Sequence, residues 1–260
     1  MRHVANVAGR ELRGLFVSPV AYGVLSLFSV LAGLFFIVTL AAFNEWIFRL
    51  QQFQAFDQLS ELNLNEHLIG QFYHSMAVVL LFLVPGITMG LFAAEKTNGT
   101  QELLLTSPLT IWDIVLGKFL AAAIFVLLLG AIVGTFPALL FVYGDPELLV
   151  TLSGLLGVVL VGFTYVAIGA FASSLTRSQM VAFLLTFVVL LILLILPAIS
   201  DLDVAGTGGA GEGLRWLSTE THLEELVKGL VDTQHLAYFA VMIAGFLVLT
   251  KASVESVRWR

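Results

Sequence analysis

The sequence predicts an all-α integral membrane protein with six transmembrane helices, and three observations carry that prediction. Of the 260 residues, 59% are hydrophobic and 12% are charged, with a mean hydropathy of +0.99, more apolar surface than one soluble core can bury. The apolar residues come in long runs, several of about 20 or more, and about 20 helical residues cross a hydrocarbon layer of roughly 30 Å. None of these runs alternates over about ten residues, as the strands of a membrane barrel do. The whole chain, 1–260, reads as a single transmembrane domain with an N-terminal amphipathic helix, a polar segment between the second and third spans, and short external helices.

Residues 1–17 have the spacing of an amphipathic helix lying on the membrane surface. Val4, Val7, Ala8, Leu12, Leu15 and Phe16 fall on one side, and Arg2, His3, Asn6, Arg10 and Arg13 on the other, where they suit anionic headgroups. Ser18-Pro19 ends this helix. The first span, 20–43, is longer than the apolar core of a cleavable signal and is expected to stay in the membrane. Residues 44–70 mix Trp46, Leu50 and Phe53 with Asp57, Glu61 and Glu66, a composition for one or two short interfacial helices. Span 2, 71–94, contains Pro85-Gly86, which predicts a kink whose freed carbonyl a neighbouring helix must satisfy.

Thr110 and Asp113 are spaced as a capping box at the start of span 3, 114–142, with Lys118 in its first turns. A tight turn at 144–147 leads to span 4, 148–174, and a short connection at 176–179 to span 5, 180–199. Residues 201–213 form a glycine-rich linker. Leu223, Leu226, Val227 and Leu230 then recur at helical spacing beside Glu224, Glu225 and Lys228, an external interfacial helix before span 6, 235–250. Three glycine pairs, Gly86/Gly90, Gly130/Gly134 and Gly162/Gly169, permit close helix approach, inside one subunit or between two.

Six spans put both termini on one side, and nine of the twelve Lys and Arg residues lie there. The positive-inside rule makes that side cytoplasmic. Thirteen of the eighteen acids lie on the other side, which accounts for the net charge of -6.

Several chemistries are disfavoured. The spans hold essentially no ionisable group at mid-membrane, where an ion-coupled carrier needs one. Gly117-Lys118 is followed by Phe119 where a phosphate loop has Ser or Thr, and Trp112 stands where its first glycine belongs. With no cysteine, disulfides and thiolate metal sites are out of reach. His3, His67, His74, His222 and His235 show no ligand spacing and no nearby carboxylate partner in sequence, so no metal site is expected and they read as interfacial polar residues.

The polar island 94–112 is longer than a passive connection requires. Gly99 can end the extension of span 2, residues 101–105 can form a helical turn, and Ser107-Pro108 can stop it, presenting Leu103, Leu104 and Leu105 beside Glu95, Lys96 and Glu102. Such a knob fits a groove on a partner, or rests on lipid.

The run Ala94-Glu95-Lys96-Thr97-Asn98-Gly99-Thr100-Gln101-Glu102-Leu103-Leu104-Leu105-Thr106-Ser107-Pro108, followed by Ile114-Val115-Leu116-Gly117-Lys118-Phe119, resembles permease subunits of type-2 ABC exporters. It looks closest to the branch of gliding-motility permeases and permeases of multicopper-enzyme maturation. The resemblance implies two permease subunits, as a homodimer or paired homologues, joined to two cytoplasmic ABC ATPase subunits that hold ATP and magnesium. This chain would hold no cofactor itself. The island would be the coupling helix, and the residues carried over are Glu95, Lys96, Gly99, Thr100, Glu102, Leu103, Leu104, Thr106, Ser107, Pro108, Gly117 and Lys118, with Arg10 and Arg13 of the surface helix also meeting the ATPase. An extracytoplasmic partner is the further expectation, and no nucleic acid. The rival reading is a membrane scaffold that passes ATPase-driven force to an outer partner without transport.

Overall fold

Ser18-Pro19 divides the N-terminal helix from the first span, as the stereochemistry of proline requires: Ser18 caps the new helix by accepting from the Val20 amide, and Pro19 takes its first position. The computed structural model describes residues 2–53, 63–100, 109–144, 146–201 and 210–256. Six helices are long and apolar enough to cross a membrane, and among the described residues there is no strand.

The first helix, α1 (Arg2–Val17), does not offer its apolar side to lipid alone. Val7 and Ala8 are buried, the helix packs along span 3, and the Phe16 ring lies 6.0 Å from that of Phe125. Span 1, α2 (Pro19–Gln52), continues through residues 44–52, which composition alone placed in a separate interfacial helix. Nothing there breaks a helix, and Glu45 and Arg49 form an i,i+4 pair at 2.6 Å. Phe36, Phe72 and Phe136 join α2 to spans 2 and 3, with ring centroids 5.4 to 5.7 Å apart.

After a π-helical turn (Asn65–Gly70), span 2 is built of α3 (Gln71–Thr88) and α4 (Gly90–Thr97). Helix α3 passes through Pro85, and the break falls at Met89, one turn beyond the expected kink. Ser173 of span 4 repairs it: its hydroxyl donates to the Met89 carbonyl at 2.9 Å and accepts from the amides of Phe92 and Ala93 at 3.0 and 3.1 Å. In hydrocarbon those groups have no water to turn to, so the neighbouring helix must supply the partner.

Span 3, α5 (Ile111–Tyr143), begins with the capping box: the Asp113 amide donates to Thr110 Oγ1 at 3.2 Å and the Thr110 amide to Asp113 Oδ2 at 3.1 Å. Span 4, α6 (Leu148–Leu175), is the centre of the molecule, packed against spans 2, 3, 5 and 6. Its glycines make that possible. A Cβ on Gly162 would lie 2.5 Å from Val126, and one on Gly169 2.1 Å from Thr88. On the facing side, Gly130 and Gly134 of α5 admit Val159 and Leu155. Those two pairs pack inside the subunit, whereas Gly86 and Gly90 meet no other helix within 4 Å.

Span 5, α7 (Gln179–Asp201), leads to two short helices, α8 (Ala210–Leu217) and α9 (Thr219–Val227). Leu223, Leu226 and Val227, expected to face lipid, are buried against α6, and Ser153 of α6 donates to the Leu226 carbonyl at 2.7 Å. Gly229 turns the chain at φ +86° into span 6, α10 (Thr233–Ser256). The glycine-rich segment 202–209, Asp57, Glu61, Arg258 and Arg260 lie outside the described residues.

Candidate functional site

The C-terminal end of span 2 finishes in a Schellman motif: Gly99 adopts φ +69° and the Thr100 amide returns to the Glu95 carbonyl at 3.1 Å. The stop expected at Gly99 is therefore a left-handed backbone that a side chain would strain. One turn of helix before it stands Glu95. Its carboxylate accepts from Lys118 of α5, with Nζ 2.8 Å from Oε1.

Lys118 also reaches Glu11 of α1, at 3.3 Å, and lies over the Phe92 ring 5.4 Å from its centroid. Arg10 completes the set, 3.0 Å from Glu11 and 4.0 Å from Glu95. Two cations and two carboxylates thus alternate across three helices. The Lys118 side chain is only 2% exposed, while Glu95 and Glu11 retain 18% and 23%. An ammonium so enclosed is stable there because both carboxylates face it and keep a share of water. The neighbouring Gly117 is what lets α1 come close, since a Cβ on it would lie 2.6 Å from Val7.

The other side of α4 is tied to the turn between spans 4 and 5. Lys96 donates to the Ser174 carbonyl, which also accepts from Ser253 of α10 at 3.0 Å. Thr97 donates to the carbonyls of Ala93 and Arg177. Helices α1, α5 and α6 and the turn after α6 therefore meet the last turn of α4, where the polar island begins.

Of the residues singled out by sequence, Glu95, Lys96, Gly99, Thr100, Gly117, Lys118 and Arg10 gather at this joint. Arg13 is exposed and makes no ion pair among the described residues. Glu102, Leu103, Leu104, Thr106, Ser107 and Pro108 lie outside the described residues. Sequence reasoning passed over Glu11, an acid on a cationic helix, because its partner is 107 residues away. Ser173 was equally invisible as an unremarkable polar residue in a span.

At the opposite end of the bundle His74 meets a carboxylate distant in sequence, Glu220, at 2.6 Å across 146 residues. His222 and His235 face each other with their Nδ1 atoms 2.7 Å apart, and the Tyr238 ring stacks on His222 at 3.9 Å. Nε2 of His222 donates to the Trp216 carbonyl at 2.8 Å, so its Nδ1 must accept from His235. Among the described residues no three His, Asp or Glu gather as metal ligands.

Burial lowers the pKa of His222 below its ordinary 6.5, and the nearby His235 lowers it further, against the opposing hydrogen bond to Trp216. A depressed histidine pKa means that the unfolded chain binds the proton first, so this contribution is complete above about pH 6.5 and is lost as pH falls toward the folded value. Protonated His222 would set two donors against each other. On lowering the pH from about 7.5 to about 5.5, amide exchange in α9 and the first turn of α10 should accelerate, and His222→Gln should flatten the response. Equal acceleration in the variant would remove His222 from the account.

A protein-family model, that of the ABC-2 family transporter proteins, matches residues 5–253. No curated protein matches the chain.

Proposed function

Because this chain belongs to the ABC-2 transporter family, whose members are membrane permease subunits paired with a cytoplasmic ATPase, we propose that it exports its cargo and takes its drive through the joint at the end of α4. ATP and magnesium are held by the partner ATPase, on the cytoplasmic face of a bacterial inner membrane. The observation that carries this reading is Lys118, enclosed between Glu95 and Glu11. A push on the island 94–112 reaches α4 and α5 directly, because both adjoin it. The ion joint adds α1, and the Lys96 and Thr97 contacts add the end of span 4 and the turn that follows it.

Rigid attachment is what such a lever needs. A displacement absorbed by loose side chains would not reach the spans, whereas a buried pair cannot part without exposing an unpaired charge. A second permease copy pairs with this one, along the apolar faces that α2 and α7 leave open, with 22% and 28% of their central windows buried.

The test is co-purification with the ATPase and measurement of its rate in vesicles. Charge reversal at Glu95 and Glu102 together with Leu103→Pro is expected to abolish the complex or cut the rate by more than about tenfold, equivalent to about 1.4 kcal/mol. Leu104→Asp leaves the ion joint untouched and should have the same effect. An intact complex with an unchanged rate in both variants would end the coupling proposal.

A further inference from the structure

Between the outer ends of α2 and α3 lies a side pocket of about 320 Å³, open along one side. Its two walls differ in chemistry. Helix α2 contributes Phe35, Val38, Ala42, Phe43 and Trp46, an almost wholly apolar surface whose one hydroxyl, Thr39, is spent on the Phe35 carbonyl at 2.8 Å. The opposite wall presents His67, Gln71 and Ser75, spaced four residues apart and so on one helical face.

Its depth can be reckoned from both helices. About 20 residues of helix cross roughly 30 Å of hydrocarbon. Counting so far outward from Pro19 reaches Thr39, and counting so far back from Lys96 reaches Met76, beside Ser75. The two counts agree on one level, at which the hydrocarbon ends and the ester and headgroup layer begins. Trp46 and His67, with rings 4.7 Å apart, stand just above it, where tryptophan prefers to lie.

The pocket is poorly suited to water, because one wall offers it no partners. Its polar wall nonetheless asks for an acceptor-rich ligand. The Gln71 amide and the Trp46 indole N–H have no hydrogen-bond partner among the described residues, and Ser75 is held by the Gln71 carbonyl at 2.9 Å. His67 Nδ1 donates to the Asn63 carbonyl at 3.1 Å, so the donors that face the ligand are those of Gln71 and Trp46. Among the described residues no Lys or Arg lines the pocket, and nearby Arg49 is neutralised by Glu45.

We propose that this pocket holds one neutral or zwitterionic glycerolipid from the outer leaflet, its ester oxygens toward Gln71 and Trp46 and an acyl chain along Phe35, Val38 and Ala42. An ester carbonyl accepts from an amide, and a hydrocarbon chain fills the apolar wall, so the two halves of the ligand match the two walls in membrane order. The pocket needs no ATPase, so this proposal stands or falls separately from the coupling reading.

The experiment is native mass spectrometry of the full chain taken from vesicles of equal phosphatidylethanolamine and phosphatidylglycerol. The wild type should retain one phosphatidylethanolamine per chain. Ala42→Phe, which fills the pocket, should reduce retention at least about tenfold, and Gln71→Leu by about tenfold, the worth of roughly one hydrogen bond. Val248→Phe, exposed on α10, which does not line the pocket, should change nothing. Gln71 is exposed, so its variant serves even if Ala42→Phe fails to fold. Equal retention in wild type and Gln71→Leu would overturn the proposal. So would preferential retention of phosphatidylglycerol, or efficient disulfide formation between two Ala42→Cys copies, which would make the pocket a contact between subunits.

Discussion

Replacing Lys118 with Met is expected to destabilise the joint of α1, α4 and α5 by about 3 kcal/mol, at the lower end of what breaking a buried ion pair costs. The side chain is 2% exposed, and Met matches its length and apolar stem, so the change removes charge more than volume. Glu95 and Glu11 would be left facing each other. Only Arg10 remains to them, and it is 61% exposed and stands 4.0 Å from Glu95. Because both carboxylates keep some contact with water, part of the penalty is relieved, which is why the lower end of the range applies.

The sharper check is the triple variant Lys118→Met, Glu11→Gln, Glu95→Gln. With no unpaired charge left, most of the lost stability should return, since a buried pair adds little over neutral groups. Coupling to the ATPase should stay impaired, because α1 and α4 are no longer held together. Melting of the purified protein separates the two outcomes from the ATPase rate. An unchanged melting point in Lys118→Met would show that the joint contributes nothing to holding these helices.

Gly169→Val should disrupt the centre of the bundle. Even the first added carbon would lie 2.1 Å from Thr88 Oγ1 and 2.6 Å from Thr88 Cβ, and Thr88 is fully buried. The latter atom is bonded to backbone, so spans 2 and 4 must separate rather than a side chain swing away. Overpacking of this kind costs about 1–3 kcal/mol for small additions and more for a branched one. Gly169 lies one helical turn before Ser173, so the separation also pulls the Ser173 hydroxyl from the Met89, Phe92 and Ala93 backbone. Loss of folded protein on size exclusion, with only partial recovery when Thr88→Ala is added to Gly169→Ala, is the expected result. Gly86→Ala makes the contrast, since nothing stands within 4 Å of the position, and it should be neutral or stabilising by a few tenths of a kcal/mol. If Gly169→Ala and Gly86→Ala melted alike, the tight approach of spans 2 and 4 would not be a source of stability.

Those two glycines occupy similar small-residue patterns in the sequence and have opposite surroundings in the fold. The pattern reports that an approach is permitted along a face. Whether another helix arrives at that face depends on how all six are arranged. The same holds for Pro85. A helix weakened there can bend over the next turn, and the break settled at Met89 because Ser173 was in position to satisfy its carbonyl.

By itself the sequence determined what is local. Apolar runs set the six spans, Ser18-Pro19 and Gly99 set helix ends, and Thr110 with Asp113 set a start, because hydropathy, backbone restriction and capping act over a few neighbouring residues. It also carried the motif around Glu95 and Lys118, though not its geometry. Only the tertiary structure decided that Lys118 is buried between Glu95 and Glu11, that His74 meets Glu220, and that His222 meets His235. Electrostatic and hydrogen-bond energy depends on separation in space, and partners 107 or 146 residues apart become neighbours only when the helices pack.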